Sequence, residues 1–410
     1  MPTDTDRALS EALSAVDQAD LVVGIPSYGN AATIGHVVDA AREGLRRSFP
    51  RLRAIVVNSD GGSTDGTQET ALRRDTPELR VISGRYDGPS GKGSALRAIF
   101  EAVARVGATA ACVVDSDLRS ITPEWIDRLL RPIVEGHAEY VTPLYVRHKH
   151  DGTITNNVIY PVVRALYGRR LRQPIGGDFG FGAGLARRYL AEDVWSSDVA
   201  RFGIDVFMTT TALASGANVV QAALGAKVHD PKDPARHLAP MFTQVLSSLV
   251  DRVRAHRGFW SRVVGSEPLP VEGRAPAVEP DEVRVDLAGL DAAFRLASEA
   301  ERRRWPETIC REDLEAFLGA AEAAAPAAWD VERAWARLVY DVLGASLREP
   351  AAAATNVHAL LPLYFARVAM HVRAASGMPS AEAETLVERQ AEAFETEKAH
   401  LLEGSSVTLP

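Results

Sequence analysis

The chain has 410 residues, a formal net charge of −8, 46% hydrophobic residues and 24% charged ones. That length exceeds one typical domain, and the composition is that of an ordinary globular protein, so two domains with sizeable cores are expected. The acidic balance argues against a nucleic-acid partner, and no run approaches the ~20 apolar residues of a membrane span.

The N-terminal stretch MPTDTDRALSEALSAVDQAD lacks the apolar core of a signal peptide. Cys112 and Cys310 lie far apart and have no ligand spacing. A cytoplasmic protein in a reducing compartment, without a disulfide framework, is expected.

From Leu21 to about Ala255 short apolar runs alternate with helical patterns. LVVGI (Leu21–Ile25) precedes NAATIGHVVDAAREGL, and AIVVN (Ala54–Asn58) precedes TDGTQETALRR. LRVIS precedes GKGSALRAIFEAVARV, and ATAACVV precedes TPEWIDRLLRPIVEG. Continuous rather than alternating apolar runs suit strands buried on both faces, so this βαβα order predicts a mainly parallel, Rossmann-like α/β sheet covered by helices. Beyond Asp115 the pattern loosens. GGDFGFGAGLA and NVVQAALGAKVH read as further strands, with a helix around Asp205–Ser215.

Gly265–Val283 is rich in Pro, Gly and acidic residues and reads as a linker or strap between a first domain, 1–264, and an all-helical domain, 284–410. The latter is Ala-rich, with apolar residues at i, i+3, i+4 spacing. Ser380 is its clearest expected N-cap, with Glu382 in the first turn. This part carries no chemical motif. It reads as a packing or oligomerisation domain, which leaves a homodimer open.

The chemistry gathers at expected strand ends, where a parallel sheet presents its functional edge. IPSYGN (Ile25–Asn30) follows the first strand and NSDGGSTDGT (Asn58–Thr67) the second. A loop so dense in Gly, Ser, Asp and Thr offers N–H groups and short acceptors to a nucleotide, or forms a simple Asx-capped turn. In SGKGSALRA, Gly93 follows Lys92 where a P-loop needs Ser or Thr, and Tyr86 stands where that motif's first Gly belongs. A P-loop NTPase is therefore excluded, although Lys92 at a helix start still supplies a point charge for a phosphate. VVDSDL places Asp115 and Asp117 one residue apart. In extended backbone they face one way and repel unless a cation or donors intervene. Mg²⁺ or Mn²⁺ takes such oxygen ligands and keeps positions open for phosphates; the alternative is a turn cap beside a solvated carboxylate.

IPSYGN, NSDGGSTDGT, SGKGSALRA and VVDSDL, in this order, resemble the nucleotide-sugar-dependent glycosyltransferases of the GT-A fold. QPIGGDFGF, FGIDVFMTTTALASGANVVQAALGAKVHD and MFTQVLSSLV narrow the resemblance to the retaining mannosylglycerate and glucosyl-3-phosphoglycerate synthases, over about Leu21 to Leu249. It implies a divalent metal, Mg²⁺ or Mn²⁺, held by Asp117 and His229. It implies a nucleotide-sugar pocket of Pro26, Ser27, Tyr28, Asn30, Ser59, Asp60, Lys92, Asp115 and Gly177, with a UDP- or GDP-hexose as donor. Asp178 stands where the family has glutamate, and Asp205 matches an acidic residue near the acceptor; these two are the catalytic candidates. Gly152, Thr153 and Thr155 match the acceptor-binding segment. Thr153 replaces the arginine that clamps phosphate in the phosphoglycerate enzymes, and a neutral threonine lacks that charge-assisted fork. The expected reaction is hexose transfer to D-glycerate or a similar small hydroxy acid, with 3-phosphoglycerate as the alternative acceptor. A sugar nucleotidyltransferase and a non-catalytic sugar-nucleotide sensor are further alternatives.

Overall fold

The computed structural model describes residues 8–228, 234–274, 280–323 and 329–405. The chain forms two compact units that are not consecutive in sequence. One comprises Met1–Val146, Ile175–Pro231 and Leu269–Val278; the other comprises Arg147–Pro174, Lys232–Pro268 and Glu279–Pro410. The sequence pattern groups residues 1–264, whereas 147–174 and 232–264 fall in the second unit. Such grouping is set by long-range contacts that local patterns do not carry.

The first unit is built on an eight-stranded sheet. Its strands are β1 (Leu21–Ser27), β2 (Ala54–Asp60), β3 (Arg80–Arg85), β4 (Ala110–Val113), β5 (Tyr140–Val146), β6 (Phe179–Gly182), β7 (Val219–Ala226) and β8 (Val271–Glu272). Their spatial order is β8-β7-β5-β6-β4-β1-β2-β3. All neighbours run parallel except β6, which is antiparallel to both β4 and β5. This is the mainly parallel α/β sheet that the continuous apolar runs imply. Every residue of β1 is buried, as a strand covered by helices on both faces requires.

The helices Ile34–Ser48, Lys92–Arg105 and Pro123–Val134 follow β1, β3 and β4 as crossovers. The last has Pro123 in its first turn, where the missing N–H leaves no helical bond unmade. Side chains of Val37, Val38, Ala41, Trp125, Ile126 and Leu129 pack with Val23, Ile25, Val56 and Val114 in one core. β5, with Pro143 at its centre, escaped the sequence reading. So did β8, which lies inside the expected linker and is only two residues long, below the reach of any periodicity.

The second unit is helical, as expected: Pro234–Ala255, Leu287–Glu301, Arg311–Glu322, Trp329–Arg348, Ala353–Ala375, Ser380–Thr396 and Lys398–Gly404, joined by Tyr160–Tyr167. Ser380 is not an N-cap but the first helical residue. Pro379 takes the cap position, with φ −60° and ψ 155°, because its ring presets the extended entry. Ser380 Oγ instead accepts the backbone N–H of Lys149 at 3.2 Å. Among the described residues no helix is long and apolar enough to cross a membrane.

Candidate active site

β4 ends at Val113, and Asp115 follows in irregular backbone at the C-terminal edge of the sheet. Its N–H donates to Asp178 Oδ1 at 2.7 Å. Its two oxygens are shared between two lysines: Oδ1 lies 2.8 Å from Lys92 Nζ and Oδ2 lies 2.8 Å from Lys227 Nζ. Lys227 also reaches Asp178 Oδ2 at 2.8 Å and Gly176 O at 2.9 Å, and its Nζ sits 5.2 Å from the centre of the Tyr145 ring. Tyr145 Oη donates to the same Asp178 oxygen. Asp205, in the first turn of the helix Ile204–Ala214, accepts the Gly177 N–H on Oδ2 at 3.0 Å. Its Oδ1 is buried, lies 3.5 Å from Lys92 Nζ and takes no hydrogen bond.

Three carboxylates thus face two ammonium groups, and the sum leaves one negative charge. Burial pushes the Asp178 carboxyl above the usual range, Lys227 opposes that shift, and Asp115 adds to it. Burial also raises Asp205, against the pull of Lys92. Burial alone would lower Lys92, but Asp115 and Asp205 outweigh it and hold its ammonium above the usual range. Two glycines make this crowding feasible. Gly177 has φ 88°, and a Cβ there would fall 2.3 Å from Asp115 Oδ2. A Cβ at Gly93 would fall 1.8 Å from Val199 O, so the helix that begins at Lys92 is pressed against residues 199–201.

The structure brings together Lys92, Asp115, Gly177, Asp178 and Asp205 from the sequence-derived set. The residues after β1 and β2 form a connected loop system. Asn30 Oδ1 accepts from Tyr28 N at 2.9 Å and from Ser116 Oγ at 2.8 Å. Asp60 organises its own loop rather than standing free: it accepts from Ser27 Oγ, Ser63 Oγ and the N–H groups of Gly62 and Ser63. Pro26 and Ser59 are buried within their strands. Ser59 Oγ takes no bond, because strand alternation turns it away from the face that carries Asn58 and Asp60. Tyr28 is the opposite case, 72% exposed just beyond β1.

Asp117 does not share the direction of Asp115 through strand alternation, because the chain turns at residues 116–117. Its carboxylate is partly exposed, and it makes no hydrogen bond or ion pair with another described residue. His229 lies outside the described residues. Gly152, Thr153 and Thr155 belong to the other unit. There Gly152 has φ 66°, Thr153 Oγ1 shares a 2.8 Å hydrogen bond with Tyr364 Oη, and Thr155 opens a π-helical turn, Thr155–Ile159. The sequence reading missed Lys227 and Tyr145. Lys227 directly follows β7, so the strand-end logic that singled out Asp115 would have found it.

This strand-end cluster sits on a mainly parallel sheet, and part of the chain is similar to a known glycosyltransferase family. Residues 22–195 match the family described as glycosyl transferase family 2. No curated protein matches the chain. The chain is also similar to solved structures of glucosyl-3-phosphoglycerate synthase from Mycobacterium tuberculosis. One complex, with Mn²⁺, UDP and phosphoglyceric acid, is 23% identical over 61% of this chain and 86% of that one, with a TM-score of 0.45. A second, with Mn²⁺, UDP and glucosyl-3-phosphoglycerate, is 22% identical over 66% and 95%, at 0.46. A third, with Mg²⁺ and UDP, is 23% identical over 61% and 87%, at 0.45.

Proposed function

We propose that the chain is a metal-dependent, retaining hexosyltransferase that moves glucose or mannose from a UDP- or GDP-sugar to D-glycerate or a similar small hydroxy acid. The observation that carries this reading is Asp115, held between Lys92 and Lys227 at the sheet edge. That mixed-sign cluster suits a ligand with both hydroxyl groups and a diphosphate. In this reading the lysines attract the diphosphate and Asp115 accepts from the ribose. Exposed Tyr28 offers a face to the base. Asp205 Oδ1, buried, 3.5 Å from Lys92 and without a hydrogen bond, accepts from a hydroxyl of the sugar or the acceptor. Asp178 has both oxygens committed and no exposed surface, so it positions Lys227 and the Asp115 backbone rather than reacting.

The donor set fits a hard divalent cation, since Asp117 offers a partly exposed carboxylate without a protein partner among the described residues. Asp117 and His229 are the residues that would hold it. When bound, such a cation stabilises the charge developing on the departing diphosphate. In transfer, the bond from the anomeric carbon to the diphosphate oxygen breaks and a bond to the acceptor oxygen forms on the same face. The hydroxyl proton leaves with the diphosphate.

The unphosphorylated acceptor is favoured by how the cations near Thr153 are used. Arg147 Nη1 is paired with Asp151 at 2.7 Å, and Lys149 Nζ donates to the carbonyls of Ser376 and Met378 at 2.8 and 2.7 Å. The test is an activity matrix of UDP- and GDP-linked glucose and mannose against D-glycerate and 3-phosphoglycerate, with Mn²⁺, Mg²⁺ or excess chelator. Transfer to glycerate that needs the metal and retains the anomeric configuration is expected. Thr153→Arg should shift the acceptor ratio toward 3-phosphoglycerate by about 10- to 150-fold. Turnover in excess chelator removes the metal from the reading. Wild-type preference for 3-phosphoglycerate removes the glycerate assignment.

A further inference from the structure

The helix Ala353–Ala375 sends three polar side chains, spaced i, i+3 and i+7 on one face, to the segment that holds Thr153. Tyr364 Oη bonds Thr153 Oγ1 at 2.8 Å. Arg367 Nε donates to Asn157 Oδ1 at 3.1 Å. His371 Nε2 donates to Lys149 O at 3.2 Å. All three are at most 3% exposed. Each is therefore a buried polar group whose partner lies on one short stretch, 149–157.

The stretch is tied to itself through the same partners. Asn157 Nδ2 donates to Thr153 O at 2.9 Å, and Trp335 Nε1 donates to Asn157 O at 2.7 Å. Tyr364 cannot rotate away, because its ring stacks on Phe242 at 4.2 Å between centroids. Within this stretch the backbone leaves regular geometry twice, at Gly152 with positive φ and in the π-helical turn Thr155–Ile159. Glycine takes its positive φ without strain, but a π-helical turn is rare and is found frequently at functional sites.

We propose that Tyr364, Arg367 and His371 are positioning residues for the acceptor. They form a three-point clamp that sets the height and rotation of Thr153 and Thr155 from beneath. The inference rests on the assignment of residues 152–155 to the acceptor and gives the helical unit a part in specificity. A clamp of buried hydrogen bonds suits this task. Each bond is directional, and losing one leaves a buried group unsatisfied, so the stretch is held in one conformation rather than several.

The test uses the full chain with Tyr364→Phe, which removes a single hydroxyl, and Arg367→Met, with Arg367→Lys as the conservative rescue. Hydrogen exchange reads the clamp without reference to activity. Protection of amides in 149–157 should fall ~10-fold or more in Tyr364→Phe and Arg367→Met, with β1, β2 and β4 unchanged. Kinetics read its purpose. The KM for D-glycerate should rise ~5- to 20-fold while the donor KM stays within about 2-fold, and Arg367→Lys should recover part of the loss. A merely structural role would instead lower the active fraction and leave both KM values in place. Unchanged exchange, or an unmoved acceptor KM in a wild type that transfers sugar, overturns the clamp alone. Absence of transfer in the wild type with every donor and acceptor overturns the glycosyltransferase reading and the acceptor role of the clamp with it, and the exchange data then show whether the three contacts still order the stretch.

Discussion

At the sheet edge, Asp115, Asp178 and Asp205 share two ammonium groups, and Asp205 Oδ1 is left without a hydrogen bond. In the helical unit, Arg164 is a charge of another kind. Its side chain is 2% exposed and it pairs with Glu388 at 2.7 Å and Glu395 at 2.8 Å, bridging Tyr160–Tyr167 to Ser380–Thr396. The first group gathers charges from five separate chain segments around one point and keeps unused bonding capacity there. The second distributes its bonds between two helices. Buried pairs of the second kind contribute little net stability but are expensive to break. A crowded cluster with a spare acceptor is costly to assemble, and clusters of perturbed titratable groups gather at functional sites.

Removing one member from each group separates the two uses. Arg164→Met should lower the unfolding free energy by about 1–3 kcal/mol, because Glu395 and Glu388, 19% and 39% exposed, lose their buried partner. Turnover per folded molecule should stay near wild type, and urea unfolding beside active-site titration measures both. Asp115→Ala should do the reverse. Turnover should fall at least ~100-fold, equivalent to about 2.7 kcal/mol of transition-state stabilisation, with a smaller change in stability. Comparable losses of stability and activity in both variants would erase the distinction.

A smaller effect tests how tightly the sheet-edge cluster is built. Gly177→Ala places a methyl in contact with Asp115 Oδ2 and Lys227 Nζ at a residue with φ 88°. The strain costs about 1–2 kcal/mol, and turnover should drop on the order of 10-fold as the lysines are displaced from Asp115. A neutral outcome for both stability and rate would mean that the cluster tolerates rearrangement and is not preorganised.

The sheet-edge group was the more legible of the two. Asp115 and Lys92 stand where an apolar run stops or a helix begins, so local pattern alone brings out their positions, whereas Asp205 was picked out by resemblance. Gly177 and Asp178 came through resemblance, since GGDFGFGAGLA reads as a strand but nothing in it announces that it runs antiparallel between β4 and β5. Ser59 and Asp60 came through resemblance as nucleotide contacts, and β2 extends to Asp60 and buries both. Thr153 was named as an acceptor residue, yet its partner Tyr364 is 211 residues away. In LLPLYFARVAMHV, Tyr364, Arg367 and His371 read as the polar stripe of an amphipathic helix. Periodicity gives such a stripe a face, and only the tertiary contacts give that face a partner.

The smallest effect concerns charge that is avoided rather than used. Burial holds the His371 imidazole down to about 4, and Arg367, His150 and Arg172 add to the penalty for protonating it, while its bond to Lys149 O opposes them. An unfolded histidine titrates near ~6.5. Between those values the unfolded chain binds more protons than the native one. The stability that His371 contributes as a neutral group is therefore fully present above about 6.5 and is lost as pH falls toward 4. By pH 5.5 the loss relative to pH 8 should be roughly 1 kcal/mol. His371→Gln keeps a donor for Lys149 O and cannot titrate. Carboxylates elsewhere weaken both proteins alike on acidification, so the difference in urea midpoint between wild type and variant isolates the histidine. That difference should move against the wild type between pH 8 and pH 5.5. If it stays constant, His371 is protonated without penalty in the native state, and the helical unit is as open to charge at this point as the sheet edge is.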